Sequence, residues 1–313
     1  MTKNYENTIL LTDPTGTVGN AVVKQLASSS DQTNQIIRVA VDTKNKVDKL
    51  KHAHEIANID YTRPETIADA LNKVDKLFLR IPPSVEMVDI SSSFIEEAKK
   101  SGVKFIVKLS TMGADLDPGY TSGRLHRQVE KIVEESGIPF AFLRPNSFMQ
   151  NFLTRSSQTL KNQNAFYLPA GDEKISFVDA RDVAAVAVEV LTKNGSQHLN
   201  KVYEITGPEA LSHSQVAEIL SKETDRRISY VDISEEDARN RIKQMGVEDW
   251  FIDNAMELYN MYRSGYRSQT TAVVEQLTEQ KPTSFSQFAR DYAQNGLGWP
   301  NQLSMLTGWL KVE

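Results

Sequence analysis

Over its first 145 residues the chain alternates short apolar runs with stretches of helical period, a rhythm that few architectures accommodate. The apolar runs are residues 9–11, 36–41, 56–59, 74–81, 105–109 and 140–143. Between them the spacing predicts a helix with Val18, Val22 and Leu26 on one face, a short helix over 46–51, and helices over 64–71, 85–100 and 126–135. Pro64 opens one of these, and Gly102 and Gly137 stand just past the ends of two others, where a left-handed residue terminates a helix. Runs that are apolar at successive positions are buried on both faces, as parallel strands covered by helices are. Right-handed crossovers then give an α/β fold with a doubly wound parallel sheet.

After Pro145 the rhythm changes. Residues 146–164 read as mixed helix and loop, 175–178 as a short strand, 181–191 as an apolar helix, and 202–205 as a strand before Thr206-Gly207-Pro208. Further helices are expected over 212–222, with Ser212 as its N-cap, and over 234–245, 248–263 and 284–294, with a strand at 228–231. Glu235-Glu236-Asp237 form an acidic first turn suited to a helix dipole. We expect residues 1–150 to form one domain and 151–313 mainly a smaller α/β lobe, with 174–205 returning to the edge of the main sheet. Such a lobe is expected to close over the crevice at the strand ends, where open α/β sheets bind ligands. The apolar residues Trp299, Leu303, Met305, Leu306, Trp309 and Leu310 suggest a tail that packs on its own chain or on a second copy, so monomer and homodimer are both open.

Composition removes several function classes. A net charge of -5 speaks against nucleic acid as a partner, because phosphate-binding surfaces are basic. No run approaches the roughly 18 apolar residues of a membrane span, and residues 1–11 lack the apolar core of a signal peptide. The chain has no cysteine, which excludes disulfides and thiolate chemistry and points to a cytoplasmic protein. His52 and His54 read as a solvated loop, and no metal site is expected.

The stretch Thr8-Ile9-Leu10-Leu11-Thr12-Asp13-Pro14-Thr15-Gly16-Thr17-Val18-Gly19 carries the strongest chemical signal. A strand entering a glycine turn and then a helix aims backbone N–H groups at a pyrophosphate. Thr12, Asp13, Thr15, Gly16, Thr17 and Val18 are the candidate cradle for a dinucleotide; an ordinary tight strand–helix turn is the alternative. Gly16 permits close approach of the phosphate, and Gly19 lets the helix pack on the strand. Asp13 stands where the motif has its first glycine, and its charge opposes an anionic ligand. Pro14 removes an N–H donor. Both changes predict weak binding or loss of the dinucleotide. Asp42, about 20 residues beyond the glycines at the end of the second strand, suits ribose hydroxyls and repels a 2′-phosphate, which favours NAD(H) over NADP(H). Lys44 pulls the other way, and Asp42 also reads as the simple start of a loop.

Several segments together resemble the NmrA-like branch of the atypical short-chain dehydrogenase/reductases, the group that holds triphenylmethane reductase and the bacterial NAD(P)H:quinone reductases. They are Thr15-Gly16-Thr17-Val18-Gly19; residues 74–83; Leu109-Ser110-Thr111-Met112-Gly113-Ala114; Leu143-Arg144-Pro145-Asn146-Ser147-Phe148-Met149-Gln150-Asn151; residues 177–184; residues 203–211; and residues 284–289. Their order and spacing cover about residues 8–293. The resemblance implies a Rossmann domain with a substrate lobe, a nicotinamide dinucleotide, and either reductase activity toward quinone-like or other conjugated acceptors or a non-catalytic redox sensor with a regulatory protein partner. It implies cofactor contacts at Arg80, Ile81, Pro82, Ser110, Asn146 and Ser147. It places Phe148 and Met149 beside the nicotinamide and substrate. The chain departs from the pattern at Asp13, at Asp42 where many relatives carry arginine, and at the Tyr-x-x-x-Lys pair, whose positions hold Ser122 and His126.

Reduction of a quinone by hydride needs a positioned nicotinamide and an apolar wall more than a protein acid. Phe148, Met149 and Phe152 are candidates for that wall, with Phe152 as readily a core residue. His126 is the candidate proton donor and Tyr120 a second catalytic candidate; a surface histidine is the alternative for His126. Arg144, Asp179 and Asp182 read as architectural, pairing or capping to tie the two lobes.

Overall fold

The computed structural model describes residues 7–33, 35–42, 50, 52–116, 119–154, 156–193 and 196–294. The expected helix at 46–51, apart from Leu50, and the apolar tail beyond 294 lie outside the described residues. In chain order the elements are β1 (Asn7–Thr12), α1 (Thr17–Thr33), β2 (Gln35–Asp42), β3 (Glu55–Ile59), α2 (Pro64–Leu71), β4 (Lys76–Leu79), α3 (Met87–Lys100), β5 (Phe105–Leu109), α4 (Thr121–Ser136) and β6 (Phe140–Pro145). They continue with α5 (Asn151–Thr154), α6 (Ser157–Gln163), β7 (Ala165–Leu168), α7 (Ala180–Thr192), β8 (Lys201–Ile205), α8 (His213–Thr224), β9 (Ser229–Asp232), α9 (Glu235–Lys243), α10 (Asp249–Arg263), α11 (Val273–Thr278) and α12 (Phe285–Gln294).

Two compact units result: Met1–Pro145 with Ala180–Glu204, and Asn146–Asp179 with Ile205–Glu313. The first is built on a seven-stranded sheet in the order β3-β2-β1-β4-β5-β6-β8. The pairs β1–β2, β1–β4, β2–β3, β4–β5 and β5–β6 are all parallel. Strand order reverses at β1, which pairs β2 on one side and β4 on the other, so this is a doubly wound Rossmann-type sheet with its switch point at β1 and β4. One face is covered by α1 and α7, which pack together, and the other by α2, α3 and α4. Val18, Val22 and Leu26 are buried in α1 as their spacing requires. Gly102 and Gly137 take the left-handed conformation past α3 and α4.

The second unit has a two-stranded parallel sheet of β7 and β9 and a core rich in aromatic rings. Phe152 lies at its centre, its ring 5.3–5.4 Å from those of Phe166, Phe177 and Phe285 in edge-on arrangements. Each such buried ring contributes about 2–3 kcal/mol by removal of apolar surface from water. Ser212 caps α8 in a reciprocal pair with Gln215. The expected strand at 175–178 does not form. Isolated bridges Phe148–Val178 and Ile175–Leu211 replace it, because the Ser176 N–H and hydroxyl turn instead to the carbonyls of Arg267 and Gln269. The sequence reading also missed β7, four residues that follow Asn164 in its left-handed cap.

Candidate functional site

The switch point brings the ends of β1 and β4 side by side, and Thr12 fastens them. Its hydroxyl accepts from the Arg80 N–H at 2.7 Å and donates to the Arg80 carbonyl at 2.7 Å. Thr12 is fully buried, so its role in the candidate cradle is to hold the main chain rather than to offer a free hydroxyl. The clamp sets Arg80 opposite the residue that follows Thr12. The Arg80 guanidinium lies 2.5 Å from Asp13 Oδ2, off the line of a good hydrogen bond, with both side chains 15% exposed.

Asp13 has φ of +51°, the left-handed conformation in which glycine is free of strain. That explains the glycine of the usual motif at this position. The turn behind it is equally tight. A Cβ on Gly16 would meet Asp13 Oδ2 at 2.0 Å, and one on Gly19 would meet the Asp13 carbonyl oxygen at 2.0 Å. The Asp13 carboxylate is therefore folded over Gly16. Burial pushes its pKa up, against the pull of Arg80 and of the Gly16 N–H. Thr15 and Thr17 are exposed and Val18 is buried at the start of α1, whose first N–H groups have no partner within the helix. The turn keeps the left-handed residue and the close glycines of an anion cradle; its departures are the Asp13 carboxylate and the N–H donor that Pro14 lacks.

Asp42 ends β2, close enough to the Tyr61 hydroxyl to act on its charge. Burial, Asp13 and then Asp42 all raise the Tyr61 pKa, and Arg80 lowers it. Asp13, Asp42, Tyr61 and Arg80 thus gather at the C-terminal ends of β1 to β4. Two carboxylates and one guanidinium leave that cluster short of positive charge for a 2′-phosphate. Ile81 is buried and Pro82 half-buried beyond β4.

A second group sits where β5 meets α4. The helix begins at Thr121, not near His126, so His126 lies in its second turn. The low-propensity Thr121-Ser122-Gly123 hid this start. Tyr120 is its N-cap residue; a Cβ on Gly123 would meet the Tyr120 ring at 2.8 Å. The Tyr120 hydroxyl donates to the Met112 carbonyl at 2.9 Å and contacts Thr111 Oγ1 at 2.9 Å. Ser110 donates to Glu130 at 2.6 Å, and Arg144 grips both oxygens of Glu130 at 3.0 and 2.7 Å and Asp115 at 2.8 Å. The architectural reading of Arg144 therefore involves partners within its own unit.

Lys108, which the sequence reading passed over, is the basic partner of His126. Its Nζ lies 2.9 Å from His126 Nδ1 and donates to the Leu109 carbonyl at 3.2 Å. The side chain is 1% exposed. Burial, partly countered by Glu130 and reinforced by Arg144, brings its pKa down to about 7. Burial, then Lys108 and Arg80, hold His126 well below the ordinary imidazole range. The available signal was a lysine inside the apolar run Phe105-Ile106-Val107-Lys108-Leu109, where a charge has no water to face.

In the second unit, Asn146 uses its whole amide internally. Nδ2 donates to Ser176 and to the Arg267 carbonyl, while Oδ1 accepts from the Ser147 N–H and from Arg267. Ser147 Oγ contacts the Tyr262 hydroxyl at 2.7 Å. Both side chains thus serve the interior of this unit. Met149 and Phe152 are 1% and 3% exposed and pack in its core; Phe148, half-buried, is the one of the three candidates with surface to offer. Asp179 accepts from Gln150 at 2.9 Å. His213 is buried against Phe152, Phe166, Phe177, Tyr230 and Tyr262, its Nδ1 without a hydrogen bond, and burial lowers its pKa to about 4. Among the described residues no group of three His, Asp or Glu is arranged to hold a metal, and no helix is long and apolar enough to cross a membrane.

Residues 5–289 match the model of the NmrA-like family. The chain is 34% identical over 285 residues to an NAD(P)H azoreductase of Xenophilus azovorans, covering 91% of this chain and 98% of that one. Its fold superposes on an NADPH-dependent quinone oxidoreductase of Escherichia coli complexed with NADPH (TM-score 0.79, 27% identity, 90% of this chain and 99% of that one). It also superposes on a triphenylmethane reductase of Citrobacter sp. (TM-score 0.79, 23% identity, 92% and 99%).

Proposed function

The chain belongs to the NmrA-like family, and on that premise we propose that it is an NAD(P)H-dependent reductase of quinone-like or other conjugated acceptors. The observation that carries this reading is the β1–α1 turn, which keeps a left-handed residue 13 and close glycines at 16 and 19 although residue 13 is no longer glycine. The main chain of Gly16, Thr17 and Val18 would hold the pyrophosphate, with the exposed hydroxyls of Thr15 and Thr17 beside it. Asp42 would accept from the ribose hydroxyls, and the charge of the Asp13–Asp42–Arg80 cluster favours NAD(H). Arg80, Ile81, Pro82 and the main chain at Ser110 stand at the strand ends where the rest of a dinucleotide would run.

When bound, the dinucleotide supplies a hydride. The chain's own part is to position the acceptor and to handle a proton. Within the second unit, Phe148 is the half-buried candidate that keeps apolar surface for a flat ring. His126 is neutral near pH 7 and, with Nδ1 turned to Lys108, carries its proton at Nε2, from which it would donate to the product anion as Nδ1 takes up a proton in the same step. Tyr120 orders the start of α4, on which His126 rides.

The second reading is a non-catalytic dinucleotide-binding regulator that answers to a protein partner. Asp13 over the cradle favours it, as do Ser122 and His126 in place of a Tyr–Lys pair. Calorimetry with NADH and NADPH, followed by turnover on quinones and azo dyes, separates the two. Tight binding with no acceptor reduced would select the regulator.

A further inference from the structure

We propose that Lys108 is the proton source behind His126, the two side chains forming a relay that delivers a proton from His126 Nε2 to the reduced acceptor. The proposal rests on the reductase reading for its last step, but the pair itself does not. Three observations carry it. Lys108 Nζ and His126 Nδ1 are 2.9 Å apart, which orders the imidazole with Nδ1 as acceptor and Nε2 as donor. Among the described residues Lys108 Nζ bonds only His126 and the Leu109 carbonyl, and no carboxylate pairs with it. His126 is half-buried, and its Nε2 bonds no described residue.

A buried lysine without a carboxylate is costly to a fold, and an apolar side chain would fill the same space more cheaply. Its use is to keep a titrating proton next to an imidazole. The surrounding charges come from α4 itself and from two further elements. Glu130 of α4 is held by Arg144, Arg127 and Ser110, Arg144 reaches in from β6, and Arg80 follows β4. Burial, countered by Glu130 and helped by Arg144, brings Lys108 to about 7, where it both holds and releases a proton.

The step balances without a further reagent. The acceptor gains hydride and becomes an anion. The Nε2–H bond of His126 breaks as the new O–H or N–H bond of the product forms. An N–H bond of the Lys108 ammonium breaks as Nδ1 takes its proton. Lys108 is left neutral, and a solvent proton entering at Nε2 restores the pair. Lys108 is thus a positioning and charging residue for His126 and does not itself touch the acceptor.

The test uses the full-length protein with Lys108→Met, Lys108→Gln and His126→Asn. In the ligand-free protein, nitrogen NMR of the His126 ring should show Nδ1 as a hydrogen-bond acceptor. Its titration should move up by about one pH unit or more in both lysine variants. Unchanged titration in both variants overturns the pairing. In turnover with a quinone, kcat/KM of the wild type should fall about tenfold per pH unit above pH ~7 as the donor is lost. That limb should vanish in Lys108→Met, with KM held within about twofold. A limb that persists in Lys108→Met overturns the relay. Absence of turnover with every acceptor sinks the reductase reading and the delivery step with it, while the NMR result still decides the pair.

Discussion

Removing the Asp13 carboxylate should tighten dinucleotide binding, and the structure gives the size. Its Oδ2 lies 2.0 Å from where a Gly16 Cβ would stand, inside the space a phosphate must approach. Two unit charges about 4 Å apart interact by roughly 4 kcal/mol at an effective dielectric of about 20 and by about 1 kcal/mol in bulk water. At 15% exposure the carboxylate lies between these limits. About 2 kcal/mol, or roughly 30-fold in Kd, is therefore the expected gain for Asp13→Asn, which removes the charge and keeps the shape. Arg80, released from Asp13, adds to that gain. Asp13→Gly should match it and also relieve the left-handed strain at φ +51°. Calorimetry with NADH at two ionic strengths reads both, and the gain should shrink at high salt. Because the Asp13 pKa is raised, protonation mimics the mutation: wild-type affinity should rise as the pH falls toward 5, and Asp13→Asn should lose that dependence. If neither variant tightens binding by more than about twofold, the carboxylate is not the obstacle and the reasoning fails.

Asp42→Arg should reverse the preference between NADH and NADPH by about tenfold, since it exchanges a repelled 2′-phosphate for a paired one; competitive binding of the two measures it, and a ratio moved less than about threefold refutes the role. Lys108 has a folded pKa of about 7, below the ordinary lysine value, so between the two the unfolded chain binds the extra proton and stability rises with pH. Urea unfolding at pH 7, 8 and 9 should show a slope of roughly 1.4 kcal/mol per pH unit that Lys108→Met lacks. For His213, lowered to about 4, the unfolded state again takes the proton first, so stability is lost as the pH falls from about 6.5 toward 4. His213→Leu should flatten that acid limb in thermal melts at pH 4–7, and an unchanged limb would show that the buried imidazole is not its source.

The doubly wound sheet was legible because its strands are short apolar runs bounded by glycine and proline, and six of the seven were placed in the sequence of the first 145 residues alone. Helix α2 was read to the residue, since Pro64 marks its first turn and the apolar face ends at Leu71. The start of α4 was not, because Thr121-Ser122-Gly123 have little helical propensity and the helix there depends on Tyr120 packing over Gly123. Strand β7 escaped because four residues show too little alternation to distinguish from loop. At the site, the importance of Asp13 was visible from the motif it interrupts. Its partner Arg80 lies 67 positions on and is brought to it by the Thr12 clamp, a contact no local pattern carries. Lys108 and His126, 18 residues apart, meet only because β5 and α4 pack together. Phe148, Met149 and Phe152 look alike in sequence; burial alone separates the half-exposed Phe148 from two core residues.

The central claim is that a dinucleotide bound over Gly16 and Gly19 serves reduction of a conjugated acceptor. Following NADH and NADPH oxidation by the purified protein with a quinone and an azo dye tests it directly, alongside calorimetry of each dinucleotide. Both should bind, NADH the tighter, with acceptor-dependent oxidation that Gly16→Val abolishes through loss of binding. Failure to bind either dinucleotide at about millimolar concentration, or binding with no acceptor reduced, would contradict it.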